Sequence, residues 1–200
     1  MPAPVPAPVP APVPASSTSA ADPAEEDLVV LVDDDGTPRG TAPRVGVHGP
    51  DTPLHLAFSC HLIDRDGRLL MTRRALVKRT WPGVWTNSYC GHPRPGEEMT
   101  EAVRRYGRRE LGVDVHDVRS LLPDFRYRAV DASGVVENEI CPVFVARTDD
   151  VLRPDPDEVA EHAWARVEDV WATVERTPWA LSPWFVEQVA ALGADPAAYR

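Results

Sequence analysis

The run Val135-Val136-Glu137-Asn138-Glu139-Ile140 sets two carboxylates two positions apart inside an apolar stretch. In a strand, residues two apart share a face, so Glu137 and Glu139 point the same way. If that face is inward, two like charges need a cation to offset the cost of burial. If it is outward, the pair is a solvated feature of an edge strand. Six histidines could join them: His48, His55, His61, His92, His116 and His162. His55 and His61 fall opposite the apolar face of Leu54 and Phe58. His92 follows Cys90-Gly91 in a C-G-H-P loop that brings a thiol and an imidazole together. Imidazole and carboxylate donors suit Mn, Mg, Fe or Zn without choosing among them.

Other residues stand out by phase or grouping. Glu110 lies four positions after Tyr106 and seven after Val103, on the apolar stripe of a predicted helix. An acid there is paired, ligates a metal, or reaches out at the edge. Arg73, Arg74 and Lys78 form a basic cluster after a strand, either simply solvated or able to hold phosphate oxygens with forked donors. Trp81, Trp85, Trp164, Trp171, Trp179 and Trp184 read first as core, although an aromatic face in a pocket can also stabilise a carbocation.

These residues need elements to position them. Leu28–Val32 predicts a strand ended by the turn Asp33-Asp34-Asp35-Gly36. Leu54–Ile63 alternates, with Leu54, Leu56, Phe58, Cys60 and Leu62 on one face, and Arg65-Asp66-Gly67 leads into Arg68–Arg74 as a hairpin. Val84–Cys90 is extended, and Gly91–Gly96 is a loop. Glu97–Leu111 predicts a helix capped by Gly112. Asp124–Val130 and Val135–Ala146 form a second hairpin around residues 131–134. Two helices follow near Val167–Val174 and Ser182–Leu192, with Ser182-Pro183 as N-cap and first-turn residue. Strands and helices mix without regular βαβ alternation, which predicts a mixed sheet flanked by helices.

With 200 residues and 43% hydrophobic composition, the chain fits one domain with a sizeable core. A formal net charge of −10 lacks the electrostatic footprint for nucleic acid or an anionic membrane. Cys60, Cys90 and Cys141 are scattered and form no CxxC pair, which predicts a reducing, cytoplasmic compartment. No apolar run approaches the roughly 20 residues of a membrane span. Residues 1–24 begin as a Pro-Ala-Pro-Val repeat, whose prolines break any signal-peptide core. That stretch favours polyproline II and predicts a disordered tail ahead of a domain over 25–200.

Several longer strings carry a resemblance. They are Leu54-His55-Leu56-Ala57-Phe58-Ser59, Thr72-Arg73-Arg74-Ala75, Trp81-Pro82-Gly83-Val84-Trp85-Thr86-Asn87-Ser88 and Cys90-Gly91-His92-Pro93. Asp124-Phe125-Arg126-Tyr127-Arg128, Glu137-Asn138-Glu139, Cys141-Pro142-Val143-Phe144 and Ser182-Pro183-Trp184 follow in order. From about Leu28 to about Leu192 the chain resembles the type 1 isopentenyl-diphosphate isomerases, a branch of the Nudix superfamily. Of the Nudix signature, Gly91, Glu97, Arg105, Glu110, Gly112 and Val113 fit. Tyr106 and Arg109 stand where hydrolases of the superfamily carry acids.

The resemblance implies an α/β (α+β) fold: a Nudix-like mixed β-sheet sandwiched by helices in a single compact domain. It implies interconversion of isopentenyl and dimethylallyl diphosphates through a tertiary carbocation. His48, His55, His92, Glu137 and Glu139 would bind one divalent metal (Mn²⁺, Mg²⁺ or Zn²⁺). Glu110, with the Cys90 carbonyl, would hold a Mg²⁺ that meets the substrate diphosphate. Cys90 and Glu139 would be the acid/base pair, Tyr127 would assist protonation, and Trp184 would face the cation. Arg74 and Lys78 would bind the diphosphate, together with Arg44 where many members have lysine. The implied partner is this small diphosphate, acted on by a monomer or weak dimer. The rivals are a Nudix pyrophosphohydrolase, which the missing acids disfavour, and a non-enzymatic metal- or ligand-binding domain.

Overall fold

The computed structural model describes residues 28–193 and 196–199. The expected tail over 1–24 lies outside the described residues. In chain order the strands are β1 (Leu28–Val32), β2 (Pro38–Pro43), β3 (His55–Leu56), β4 (Phe58–Ile63), β5 (Leu69–Arg74), β6 (Trp85–Thr86) and β7 (Tyr89–Gly91). They continue as β8 (His116–Leu122), β9 (Arg126–Val130), β10 (Val136–Ile140), β11 (Val143–Arg147) and β12 (Val159–Ala165). An irregular turn, α1 (Arg44–Val47), precedes His48, and the helices are α2 (Met99–Tyr106), α3 (Val167–Arg176) and α4 (Pro183–Ala191).

The strands divide between two mixed sheets. One runs β2-β1-β3-β10-β9; the other runs β12-β5-β4-β11-β8, with β6 on β5 and β7 on β4. Each holds one parallel pair, β3 with β10 and β4 with β11. The two parallel segments stay in step as they pass from one sheet to the other. Ala57 N donates to Ile140 O at 2.9 Å and Ser59 N to Pro142 O at 3.1 Å across the changeover. Two strands expected to be continuous are therefore broken, at Ala57 and at Cys141-Pro142. Proline has no N–H for a ladder, so the second break falls where a sheet must end.

The larger sheet is covered on both faces, which is why β4 is buried along its whole length. Phe58, Cys60, Leu62 and Leu70 pack on one side with Ala102, Val103 and Tyr106 of α2. Ile63, Leu69 and Met71 pack on the other with Val170 and Trp171 of α3 and with Trp184, Phe185 and Val189 of α4. The period-2 alternation of the strands sorts residues between these two layers. Phe58, Leu62 and Ile63 are almost completely enclosed. Truncating any of them would cost about 2–5 kcal/mol, so this strand is the fixed reference for the site.

The helix expected over Glu97–Leu111 starts at Met99 and changes at Gly107 into a π-helical turn, Gly107–Leu111. Gly112 ends it as expected, in the left-handed region at φ 65°. A Cβ there would lie 2.8 Å from the Arg153 carbonyl oxygen, so packing as well as backbone angle requires glycine. Ser182 occupies the N-cap position of α4, but makes no side-chain cap bond; its hydroxyl lies 2.7 Å from that of Thr86. Trp179 breaks the expectation of tryptophan as core, since it is 84% exposed. None of the described helices is long and apolar enough to cross a membrane.

Candidate active site and metal centre

The break between the sheets is where the chemistry-bearing side chains converge. Alternation in β10 puts Glu137 and Glu139 on one face, and both are buried. Of the two readings of that pair, the inward one holds. The register of β10 with β3 sets Glu139 beside His55. The loop after α1 delivers His48, tied down by Val136 N donating to Gly49 O at 2.9 Å. His92 arrives from β7, and its carbonyl accepts from Arg105 at 3.1 Å. Glu97 fixes the same loop by accepting from Arg94 N and from the Arg105 guanidinium. Gly91 lets this strand lie against Tyr106, since a Cβ at that position would be 2.6 Å from the ring.

Potential ligand atoms of His48, His55, His92 and Glu139 all lie within 4.8 Å of one another. His55 Nε2 is 3.3 Å from His92 Nε2 and 3.4 Å from Glu139 Oε1, and His92 Nε2 is 3.3 Å from that same oxygen. His55 Nδ1 sits 2.9 Å from the Pro53 carbonyl oxygen, which can only accept. The Nδ1 hydrogen is thereby assigned, which leaves the neutral ring's Nε2 lone pair facing the cluster. His48 Nε2 and Glu137 Oε2 are 2.8 Å apart, yet neither atom has a partner in hydrogen-bonding geometry. Donors bound at about 2.0–2.2 Å to one centre are spaced about 3 Å apart in the tetrahedral or octahedral arrangements such metals take. Buried nitrogen and oxygen atoms at that spacing, two of them without hydrogen bonds, fit a divalent cation. The charges around Glu139 agree. Burial alone would push its carboxyl up, but hydrogen bonds and charge from His55 and His92 outweigh this and hold it well below the usual carboxylate range. Burial depresses His55 too, but there the Glu139 interactions win and the pKa rises; at His92 burial prevails and it falls.

Beside this cluster opens a cavity of about 350 Å³. Its lining includes the acids Glu110, Glu137 and Glu139, the thiol of Cys90, the rings of Tyr127 and Trp184, and the basic side chains of Arg44, Arg74, Lys78 and Arg109. Burial raises the Cys90 thiol to about 11, partly opposed by its bonds to Ser59 and Asn87, so it is protonated at neutral pH. Burial likewise holds the Tyr127 phenol well above its ordinary value, and the Glu139 and Glu137 charges add to this. The Tyr127 and Trp184 rings are 5.6 Å apart. The Arg74 guanidinium stands 5.5 Å from the Trp184 ring centroid, so that face already accommodates a cation. Arg74 is oriented by the carbonyl and hydroxyl of Thr80, at 3.0 and 2.9 Å. Lys78 is paired with Glu158.

Glu110 reaches the cavity from the π-helical turn, an irregularity that recurs at functional sites. Burial raises its pKa to about 7; the Glu158 charge adds to this and Lys78, Arg74 and Arg109 oppose it.

Not every sequence candidate joins the site. His116 and His162 are exposed. His61 is fully buried elsewhere, bonded to Tyr199 at 2.7 Å and Gln188 at 2.9 Å. Arg73 leaves its cluster to pair with Glu161 at 2.6 Å. Two further residues border the site, Glu158 with no local signal and Asn87 marked only by its place in a motif string. The pairing of β12 with β5 brings Glu158 to Lys78. Asn87, buried between β6 and β7, touches both Cys90 and Trp184.

A NUDIX domain model matches residues 53–185. The isopentenyl-diphosphate Delta-isomerase of Clavibacter michiganensis is 56% identical over 177 residues, covering 88% of this chain and 91% of that protein. That of Agromyces mediolanus is 59% identical over 162 residues, covering 81% and 79%. The chain belongs to the Nudix isopentenyl-diphosphate Delta-isomerase family. Solved structures share the fold at much lower identity. A Deinococcus radiodurans protein superposes with a TM-score of 0.63 at 20% identity, over 82% of this chain and 98% of its own. The MutT protein of Methanosarcina mazei gives 0.54 at 19%, over 70% and 94%. The mixed-sheet, helix-flanked architecture expected from the sequence is the one observed.

Proposed function

We propose that this chain converts isopentenyl diphosphate to dimethylallyl diphosphate and back, with Cys90 and Glu139 as its proton-transfer pair. The observation that carries this reading is a thiol and a buried carboxylate in one cavity with the Tyr127 and Trp184 rings. In its resting form the pair holds one exchangeable proton, on sulfur. The transposition adds a proton at the terminal alkene carbon, leaves a tertiary cation, and removes a different proton from the carbon next to the diphosphate-bearing end. One group of the pair gives and the other takes, so the pair exchanges protonation states and resets through solvent or the reverse reaction. Protonating an unactivated alkene is the difficult step, and it calls for a positioned acid in a site that excludes water. The Trp184 face offsets the transient positive charge through its quadrupole. Tyr127, held as a phenol, assists protonation near Glu139.

In the same cavity, Arg44, Arg74 and Lys78 bind the diphosphate, with Arg109 as a further donor. Binding breaks the Lys78–Glu158 pair and replaces one anionic partner with another. His48, His55, His92, Glu137 and Glu139 would hold one divalent metal (Mn²⁺, Mg²⁺ or Zn²⁺), and Glu110 with the Cys90 carbonyl a Mg²⁺. Bound there, these cations would supply the positive charge that the buried carboxylates and the diphosphate require. The domain is proposed to act as a monomer or weak dimer in the cytoplasm.

Three variants test the assignment. Cys90→Ala removes a proton carrier and no side-chain ligand, so turnover falls by about 10²–10⁴-fold or more while bound metal and substrate affinity persist. Glu137→Gln removes a ligand and no proton carrier, so metal is lost first and activity partly returns at high metal. Glu139→Gln removes both and stays inactive at any metal concentration. Near-native turnover in Cys90→Ala would make that thiol structural and refute the two-group mechanism.

A further inference from the structure

Asn87 sits in the bend between β6 and β7 with no exposed surface. Its carboxamide is one of the most heavily bonded groups among the described residues. The side-chain nitrogen lies 2.9 Å from Tyr89 O, 3.2 Å from Cys60 O and 3.3 Å from Cys90 Sγ. The side-chain oxygen accepts from Trp184 Nε1 at 3.0 Å and from the Thr86 hydroxyl at 2.8 Å, and lies 3.5 Å from Cys90 Sγ. An indole N–H can only donate and a peptide carbonyl can only accept, so the two ends of the amide cannot be exchanged. The group is thus locked in one orientation, and that orientation puts it in contact with Cys90 and Trp184 together.

We propose that Asn87 is a positioning residue for the isomerisation, fixing the Cys90 thiol and the Trp184 indole relative to each other through a single amide. The proposal rests on the functional reading above, in which those two groups meet the substrate. The reaction needs the proton carrier and the cation-facing ring to address adjacent carbons of one five-carbon unit. Two groups on different elements, β7 and the first turn of α4, would otherwise be coupled only through the intervening core. Asn87 makes the coupling direct. The Thr86 and Ser182 hydroxyls, 2.7 Å apart, and Ser182 N donating to Trp85 O at 2.9 Å tie the same bend to the same helix turn. Asn87 itself is not a proton carrier, since an amide does not titrate in this range. Its effect therefore acts on geometry in the reacting complex and not on metal or diphosphate binding, both of which use other residues.

The test is steady-state kinetics on metal-loaded enzyme with isopentenyl diphosphate, for wild type, Asn87→Ala, Trp184→Phe and the double variant. Wild type must isomerise; if it does not, the functional reading fails before this one is tried. Given an active wild type, Asn87→Ala should lower kcat by roughly 10²-fold, the scale of an ångström-level misplacement. KM should stay within about threefold and metal content should be unchanged, the pattern of an interaction used only in the transition state. Trp184→Phe already lacks the indole N–H, so adding Asn87→Ala should cost at least about tenfold less than it does in wild type. Asn87→Ser, whose hydroxyl can still serve one carbonyl, is the second variant and follows the same criteria. A folded Asn87→Ala with near-native kcat and only a lower Tm would overturn the proposal. So would losses that simply multiply in the double variant, or collapse of both Asn87 variants, which would assign the amide to the fold alone.

Discussion

Glu110 is a buried carboxyl whose charge state can be read from stability against pH. Burial first, and the Glu158 charge second, raise its pKa from 4.5 to about 7. Between those values the folded protein keeps a proton that the unfolded chain has already released. Unfolding then releases a proton, so metal-free protein loses stability as pH rises from about 4.5 through 7. A displacement of this size corresponds to about 3 kcal/mol. At roughly 2–4 °C per kcal/mol for a chain of this length, that is roughly 6–12 °C in Tm. Glu110→Gln fixes a neutral side chain and removes this dependence. The assay is thermal unfolding of metal-stripped wild type and Glu110→Gln at pH 5 and pH 8.5. Wild type should lose Tm relative to the variant between the two pH values. Added Mg²⁺ should restore most of that difference at the higher pH and little at the lower, because only the ionised carboxylate attracts the ion. Parallel curves for the two proteins, with and without Mg²⁺, would refute both the buried state of this acid and its proposed role.

Two further outcomes are expected. Gly91→Ala drives a Cβ to 2.6 Å from the Tyr106 ring, so either that ring or β7, which carries Cys90, must shift. Overpacking of this kind costs about 1–3 kcal/mol; urea unfolding and turnover should both show a loss, and wild-type values in both would contradict the packing account. Deleting residues 1–24, whose composition cannot build a core, should leave Tm and turnover nearly unchanged, and a large loss of either would show that the repeat docks on the domain.

The parts of the site legible in the sequence were those set by local periodicity. Period 2 puts Glu137 and Glu139 on one face whatever the sheet does, and the phase of Tyr106 and Glu110 survives the change from α-helical to π-helical winding. What the sequence left open was which face is inside. Glu137-Asn138-Glu139 reads equally well as a solvated edge, and only the parallel pairing with His55 closes that choice. The breaks at Ala57 and Cys141-Pro142 were hidden because the residues either side keep their alternation while changing sheets. His61 falls opposite the apolar face of its strand and counts among the candidate ligands. It is enclosed because α4 covers that face too and supplies Gln188 as a partner. Asn87 and Glu158 are set by contacts far along the chain, with Trp184 and Lys78; Glu158 has no local pattern that marks it, and Asn87 only its place in a motif string. The motif strings carry the family resemblance but give no account of why Thr86 and Asn87 belong among them. The amide between thiol and indole supplies one.

The most direct measurement is a proton NMR time course of purified, Mg²⁺-supplemented protein with isopentenyl diphosphate in D₂O. The proton-transfer account predicts dimethylallyl diphosphate, with deuterium entering the methyl group formed from the terminal alkene carbon and inorganic phosphate absent. Release of phosphate with the double bond unmoved would contradict it and make the chain a hydrolase.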